Sequence, residues 1–233
     1  MKLIEEKPFQ IDFHSHILPA ADHGSDGLET SLQQVALAAE FGIDLMIATP
    51  HFYPRYDSAA EFLRRRAACA EALFQALSKG EQKAPKILLG SEVQLCRNLD
   101  KLPELDQFCV QGTNVLLLEL PGNFSMHHHE QTVESLIYGR KLRVVLAHID
   151  RYDTNTIDLL LDLGCYAQLN VSSLCHLRSR RRSLQWASGD CVVALGSDIH
   201  GTAVGYKEFA QAKKRLKNDY DAIMARTKSL LGL

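Results

Sequence analysis

Cys191-Val192-Val193-Ala194-Leu195-Gly196-Ser197-Asp198-Ile199-His200 is an apolar run that passes straight into an acid and a histidine two positions apart. A short apolar run closed by glycine marks a strand buried in a parallel sheet. Parallel α/β architectures gather their ligands at the carboxyl ends of such strands. The same form recurs upstream. Ile11–His14 continues into Ser15-His16, Leu45–Thr49 into Pro50-His51, and Lys86–Gly90 into Ser91-Glu92. Val115–Leu120 contains Glu119, and Arg143–Ala147 ends on His148. Tyr166–Val171 completes the set of seven and ends on plain polar residues, Ser172-Ser173.

Between these runs, Glu29–Phe41, Ala59–Leu77, Gln131–Gly139 and Thr156–Leu163 repeat apolar residues at three- and four-residue spacing and read as outer helices. Tyr206 to Leu231 reads as one terminal amphipathic helix, with Lys207, Lys213, Lys214, Arg215 and Lys217 on a solvated face. Strand and helix alternate throughout, so the fold class is α/β. No repeat, low-complexity segment or linker interrupts the alternation, and residues 1–233 are expected to form a single domain.

A net charge of −2 gives no general attraction to nucleic acid or to a membrane surface. The opening MKLIEEKPFQ is charged where a secretory signal would be apolar, and no run approaches the ~20 apolar residues of a membrane span. A cytoplasmic protein without membrane insertion is expected. The six cysteines contain no C-x-x-C pair and are expected to be reduced. Oligomeric state is not legible.

Residues two apart on an extended chain point to the same side, so His14 with His16, and Asp198 with His200, have chelating geometry. Either Asp22 or His23 joins them from the first loop. The candidate ligands are His14, His16, His23, His51, Glu92, Glu119, His148, Asp198 and His200. Any one histidine alone would read as a hydrogen-bonded core or surface residue. Ligand-type side chains at six strand ends together read as a metal centre. The set exceeds one four-coordinate site and points to two or three divalent ions sharing bridging groups. Imidazole and carboxylate without thiolate favour Mn, Fe or Zn.

His14-Ser15-His16-Ile17-Leu18-Pro19, Thr49-Pro50-His51, Gly90-Ser91-Glu92, Glu119, Ala147-His148-Ile149-Asp150-Arg151-Tyr152 and Ser197-Asp198-Ile199-His200 resemble the polymerase-and-histidinol-phosphatase (PHP) superfamily. The likeness extends from Ile11 to Lys207. Within the superfamily, the HSHILP opening and the AHIDRY segment resemble the bacterial protein tyrosine phosphatases encoded with capsule and exopolysaccharide genes. The resemblance implies a distorted seven-stranded (β/α) TIM-like barrel, a trinuclear centre, and hydrolysis of phosphotyrosine in protein. It further implies that Arg151 holds the substrate phosphate, and that the substrate is a tyrosine-rich tail on a polysaccharide-synthesis kinase. Two departures stand out. The first loop reads Asp22-His23-Gly24 where that branch has Asp-Asp-Gly. The branch's second arginine, after Ser-Asp-x-His, is missing from Gly201–Lys207, leaving Lys207 as a point charge in its place.

On this reading the metals neutralise a phosphate of about two negative charges and acidify a bound water to pKa ~7. Arg151 clamps the non-bridging oxygens, and His200 or His23 supplies a proton to the departing tyrosyl oxygen. His127-His128-His129 reads as a polar loop at the same end. Arg178 and Arg180-Arg181-Arg182 either guide an acidic phosphopeptide or only solvate a helix. Competing readings are a phosphatase for a small monoester such as histidinol phosphate, a nuclease, or a non-catalytic metal-binding regulator. A cysteine phosphatase is a further alternative, because Cys175 to Arg181 has C-x5-R spacing. That segment contains no glycine to open a phosphate cradle.

Overall fold

Strands β1 (Ile11–Ser15), β2 (Leu45–Ala48), β3 (His51–Phe52), β4 (Lys86–Leu89), β5 (Glu92–Gln94), β6 (Val115–Glu119), β7 (Arg143–Leu146), β8 (Tyr166–Asn170) and β9 (Val192–Gly196) lie at the centre of the computed structural model. The structure describes residues 9–80, 84–122, 124–201 and 205–233. Every strand pairing is parallel. Two sheets result, one in the order β1-β2-β4 and one in the order β3-β5-β6-β7-β8-β9.

Among the described residues seven expected strands are nine, because the second and third runs are each followed by a further short strand, β3 and β5. Thr49-Pro50 and Gly90-Ser91 leave the first sheet side by side and re-enter as β3 and β5 of the second. Hydrogen bonds carry the pairing across the gap, from Gly90 N to Ala48 O at 2.8 Å and from Glu92 N to Pro50 O at 3.1 Å. A Cβ at Gly90 would stand 3.2 Å from Ile47 Cγ2 and 3.4 Å from Thr49 Cγ2, so the break is crowded. On the other side of β1, Ser15 pairs with Ile199, and Asp198 N donates to His14 O at 2.8 Å. β1 is thereby tied to the segment that follows β9.

The strands are apolar along their length because helices cover them. Phe13, Leu45, Met46, Leu116, Val144, Leu169 and Leu195 are fully buried, each burial stabilising the fold by about 1.5–3 kcal/mol. Ser58 caps α2 (Ala59–Lys79) by accepting from Glu61 N at 3.2 Å, and Asp153 caps α4 (Thr154–Asp162) through Thr156 N at 2.9 Å. α1 (Leu28–Glu40), α3 (Met126–Glu134) and α5 (Leu177–Ala187) complete the outer layer as far as Ala187. The helix expected over Gln131–Gly139 begins five residues earlier, at Met126, and its last turn, Ser135–Gly139, is a π turn.

The expected single helix from Tyr206 to Leu231 is two, α6 (Gly205–Leu216) and α7 (Asn218–Leu231), broken at Lys217 with φ 53° and ψ −120°. The two halves dock in different places. Arg215 on α6 donates to Leu174 O at 2.5 Å, whereas on α7 Thr227 donates to Val193 O on β9 and Tyr220 to Gln10 Oε1 before β1. A straight helix would not reach both. Among the described residues no helix is long and apolar enough to cross a membrane, and all six cysteines are unpaired.

Candidate metal centre

Glu92, fully buried at the start of β5, is the hub of the site. Its Oε2 lies 3.1 Å from His14 Nε2, 3.3 Å from His16 Nε2 and 2.9 Å from His51 Nδ1, while Oε1 lies 2.7 Å from His148 Nε2. Four imidazoles from β1, β3 and the end of β7 therefore converge on one carboxylate. Glu119, at the end of β6, stands 3.8 Å from His148 Nε2 and is steadied by Gln94. Asp198 Oδ1 is 3.6 Å from His14 Nε2, 3.4 Å from His16 Nε2 and 3.5 Å from His200 Nδ1.

The first loop separates the two residues that the sequence leaves open. Asp22 Oδ2 accepts from His16 Nδ1 at 2.7 Å and from His51 N at 2.9 Å, and its Oδ1 accepts from Gly24 N at 2.8 Å. Both oxygens are occupied in orienting other groups. The His23 ring instead stacks on His51 with centroids 4.6 Å apart and lies 4.8 Å from His200. His200 in turn sits 4.1 Å from the His16 ring. All nine candidates thus share one end of the strands.

Local backbone explains how they fit. His148 (φ 33°) and Asp198 (φ 50°) both adopt left-handed conformations, which turn their side chains back over the strand ends. Gly24 and Gly196 admit the first two histidines, since a Cβ would come within 2.1 Å of His16 Cβ at one and 2.5 Å of His14 Cβ at the other.

The donor chemistry fits cations. Gln168 Oε1 accepts from His14 Nδ1 at 3.1 Å and from His148 N at 2.7 Å, while Gln168 Nε2 donates to Asn170 at 2.9 Å. With His14 and His16 each donating through Nδ1, to Gln168 and to Asp22, their neutral rings aim lone pairs at one another across 3.0 Å between the Nε2 atoms. That arrangement requires positive charge between or upon them. His14, His16 and Glu92 come within 4.8 Å of one another, as do His16, His51 and His200, and as do His51, Glu92 and Glu119.

Electrostatics agree. Burial opposes charge on His14, yet Glu92 and Asp198 raise its pKa; burial likewise opposes charge on His16, which Asp198, Asp22 and Glu92 hold well above the usual range. Burial would raise Glu92, but His14, His148 and His16 hold it well below the ordinary carboxylate range. Glu119, facing fewer imidazoles, is raised by burial and by Glu92.

Arg151 closes a short 3-10 turn, Ile149–Arg151, and donates from NH2 to Asp198 Oδ2, which also accepts from Asn170 Nδ2 at 2.9 Å. Its side chain remains 51% exposed, so the guanidinium stands at an open mouth. Lys207 is exposed in the first turn of α6 and makes no ion pair among the described residues. Of the three consecutive histidines, His129 is buried against Phe124, while His127 and His128 are exposed at the start of α3 rather than in a loop. Cys175 Sγ donates to Glu208 O at 3.8 Å and burial raises its thiol, which runs against a nucleophilic thiolate at that position.

Sequence reasoning missed the residues that hold the ligands. Gln168 and Asn170 lie on β8, the one strand with no ligand-type ending. Tyr53 stacks on His51 at 5.1 Å, and burial together with Glu119 and Glu92 raises its hydroxyl pKa. Its one available signal was the position two residues after His51, on the same side of an extended chain.

A family model described as capsular polysaccharide synthesis, CpsB/CapC, matches residues 10–229. The tyrosine-protein phosphatase YwqE of Bacillus subtilis is 26% identical over 203 residues, covering 82% of this chain and 77% of YwqE. A chain from the crystal structures of YwqE from Bacillus subtilis and CpsB from Streptococcus pneumoniae, metal-dependent tyrosine phosphatases, matches with a TM-score of 0.77. It is 21% identical, and the match covers 95% of this chain and 94% of the other. The phosphotriesterase homology protein of Escherichia coli, solved with phosphate in its active site, follows at a TM-score of 0.58, 14% identity and coverage of 96% and 99%. The family match takes in every strand end from His14 to His200, and the chain belongs to the CpsB/CapC family of capsular polysaccharide synthesis.

Proposed function

We propose that this protein is a metal-dependent protein tyrosine phosphatase serving capsular or exopolysaccharide synthesis. His14, His16, His23, His51, Glu92, Glu119, His148, Asp198 and His200 would hold two or three divalent ions, Mn, Fe or Zn. The observation that carries the reading is Glu92, one buried carboxylate within 3.3 Å of imidazole nitrogens from four histidines, with an arginine at the mouth beside it. Kinship with YwqE, a tyrosine-protein phosphatase, directs that site to phosphotyrosine.

Bound there, divalent cations supply charge neutralisation for the phosphate dianion and acidify water to a pKa of ~7. The chain supplies position and protons. Asp198, itself held by Asn170 Nδ2, accepts from Arg151 and leaves the guanidinium's other N–H donors free to grip non-bridging phosphate oxygens as charge grows on them. His200, partly exposed beside the cluster, and His23, stacked between His51 and His200, stand where a proton is needed on the departing tyrosyl oxygen. A phenol of pKa near 10 needs less such help than an alcohol. Lys207 lends an untethered positive charge. The open mouth suits a phosphate carried on protein, and a tyrosine-rich tail of a polysaccharide-synthesis kinase is the substrate the family context favours. The two parallel sheets, joined at Ser15 and Ile199, are read as a distorted barrel of seven βα units in one domain, working in the cytoplasm.

The test is phosphate release from a phosphotyrosine peptide with Mn²⁺, after chelation, and after Mn²⁺ is restored. Loss and recovery are expected. Activity that survives complete metal removal would overturn the reading.

A further inference from the structure

Helix α5 follows β8 through the short turn Val171–Leu174 and carries more positive charge than its own stability favours. Its sequence, Leu177-Arg178-Ser179-Arg180-Arg181-Arg182, puts four arginines into the first two turns with no acid in the first. Cations there oppose the helix dipole, and arginines three and four apart repel one another. No side chain caps the helix at His176. Among the described residues the arginine ion pairs are those of Arg65, Arg140, Arg151 and Arg226, so Arg178, Arg180 and Arg181 have none.

The helix is also aimed. Arg182 donates to Asp150 O at 2.6 Å, beside Arg151, and its guanidinium lies over the Trp186 ring at 4.8 Å. Arg178 is one turn earlier on the same ridge, about 6 Å nearer the helix start. Arg178 and Arg181 are both exposed, next to Leu177, which is 79% exposed. Beside Asp150 and its neighbour Arg151, α5 therefore presents exposed cations next to an apolar residue, and among the described residues Arg178 and Arg181 meet no carboxylate at ion-pair distance.

We propose that the face of α5 bearing Arg178 and Arg181 docks an acidic stretch of the phosphotyrosine protein, the flanking carboxylates lying along the helix while the phosphate enters beside Arg151. This rests on the phosphatase reading and names the substrate class for it: phosphotyrosine with Asp or Glu nearby. Charge complementarity selects the occupant, because a neutral flank would leave the arginines as unpaired as they are now.

Two labelled peptides decide it, each containing phosphonomethyl-phenylalanine as an unhydrolysable phosphotyrosine, one with Glu/Asp flanks and one with Ser/Gln flanks. Their Kd for the Mn²⁺-loaded protein and for R178Q/R181Q is read by fluorescence anisotropy. The native protein should bind the acidic peptide about tenfold more tightly at low salt, an advantage that shrinks as salt screens it. The double variant should bind both peptides alike, with the neutral Kd and the turnover of para-nitrophenyl phosphate unchanged, and R178K/R181K should restore the preference. Equal Kd values for the two peptides in the native protein, or a preference that the double variant keeps, would overturn the proposal. So would binding of phosphatidylserine vesicles through Arg178 and Arg181 without any peptide preference. A native protein that hydrolyses no phosphotyrosine compound would sink the phosphatase reading instead, and the peptide Kd values would still decide the docking.

Discussion

Arg151 reaches the cluster through Asp198, and one hydrogen bond there commits one arm of a planar fork while leaving the rest for phosphate. Arg151→Lys keeps the charge and loses the fork. It should lower kcat/KM on para-nitrophenyl phosphate by about a hundredfold, with an unaltered melting temperature because the side chain is half exposed. Asp22 accepts from His16 Nδ1 and His51 N, so on the proposed reading Asp22→Asn should weaken Mn²⁺ affinity by about ten- to a hundredfold in titration calorimetry and leave kcat at saturating metal nearly unchanged. A loss of affinity well beyond about a hundredfold, or the loss of one bound ion, would make Asp22 a ligand. Eight of the nine ligand-type residues were legible because each lies at or just beyond the end of an apolar run, while His23, in the first loop, was legible only as the alternative to Asp22. Gln168, Asn170 and Tyr53 were not, since an amide or a phenol signals nothing until the fold sets its distance from a histidine.

Elements were legible where a strand's apolar run is continuous, and misread where a local crowding decides. Nothing in Leu45–His51 or Lys86–Glu92 announces that the pair changes sheets together; Gly90 marks the place only once Ile47 and Thr49 stand against it. The terminal helix carries unbroken helical periodicity, and its break at Lys217 comes from two docking surfaces that a sequence does not display. That residue holds φ 53° with ψ −120°, a region natural to glycine. Lys217→Gly should therefore stabilise the fold by about 1 kcal/mol, or about 2–4 °C in Tm, by thermal unfolding. Gly196→Ala should do the opposite. Its Cβ would meet His14 Cβ at 2.5 Å and Gln168 Nε2 at 2.8 Å, so a loss of about 1–3 kcal/mol should come with reduced metal content. Gly122→Ala, with open space around it, serves as the control.

At the scale of the whole molecule, the cluster ties β1, β3, β5 and the ends of β6, β7 and β9 together, so its charge state bears on the stability of all of them. Without metal the positive charge must come from protons. His14 and His16 have folded pKa values raised above 6.5, so their contribution is fully present below pH 6.5 and is lost as pH rises through the folded values. Glu92, Asp198 and Asp22 are lowered, so theirs is present above the unfolded carboxylate range and lost in acid. The metal-free protein should therefore be most stable in mildly acid solution and weaken toward alkaline pH. A divalent cation takes over the role of those protons and must displace them to bind. Mn²⁺ at a hundred times its Kd adds about 2.7 kcal/mol, or about 5–10 °C for a chain of this size. Because the displaced protons bind less firmly as pH rises, the Tm gain at a fixed Mn²⁺ concentration should be larger at pH 8 than at pH 6. Titration calorimetry at pH 7 should show a binding enthalpy that varies with the ionisation enthalpy of the buffer. An equal Tm gain at both pH values, with an enthalpy indifferent to buffer, would mean that the imidazoles are already neutral in the metal-free fold. His14 and His16 would then face one another with opposed lone pairs.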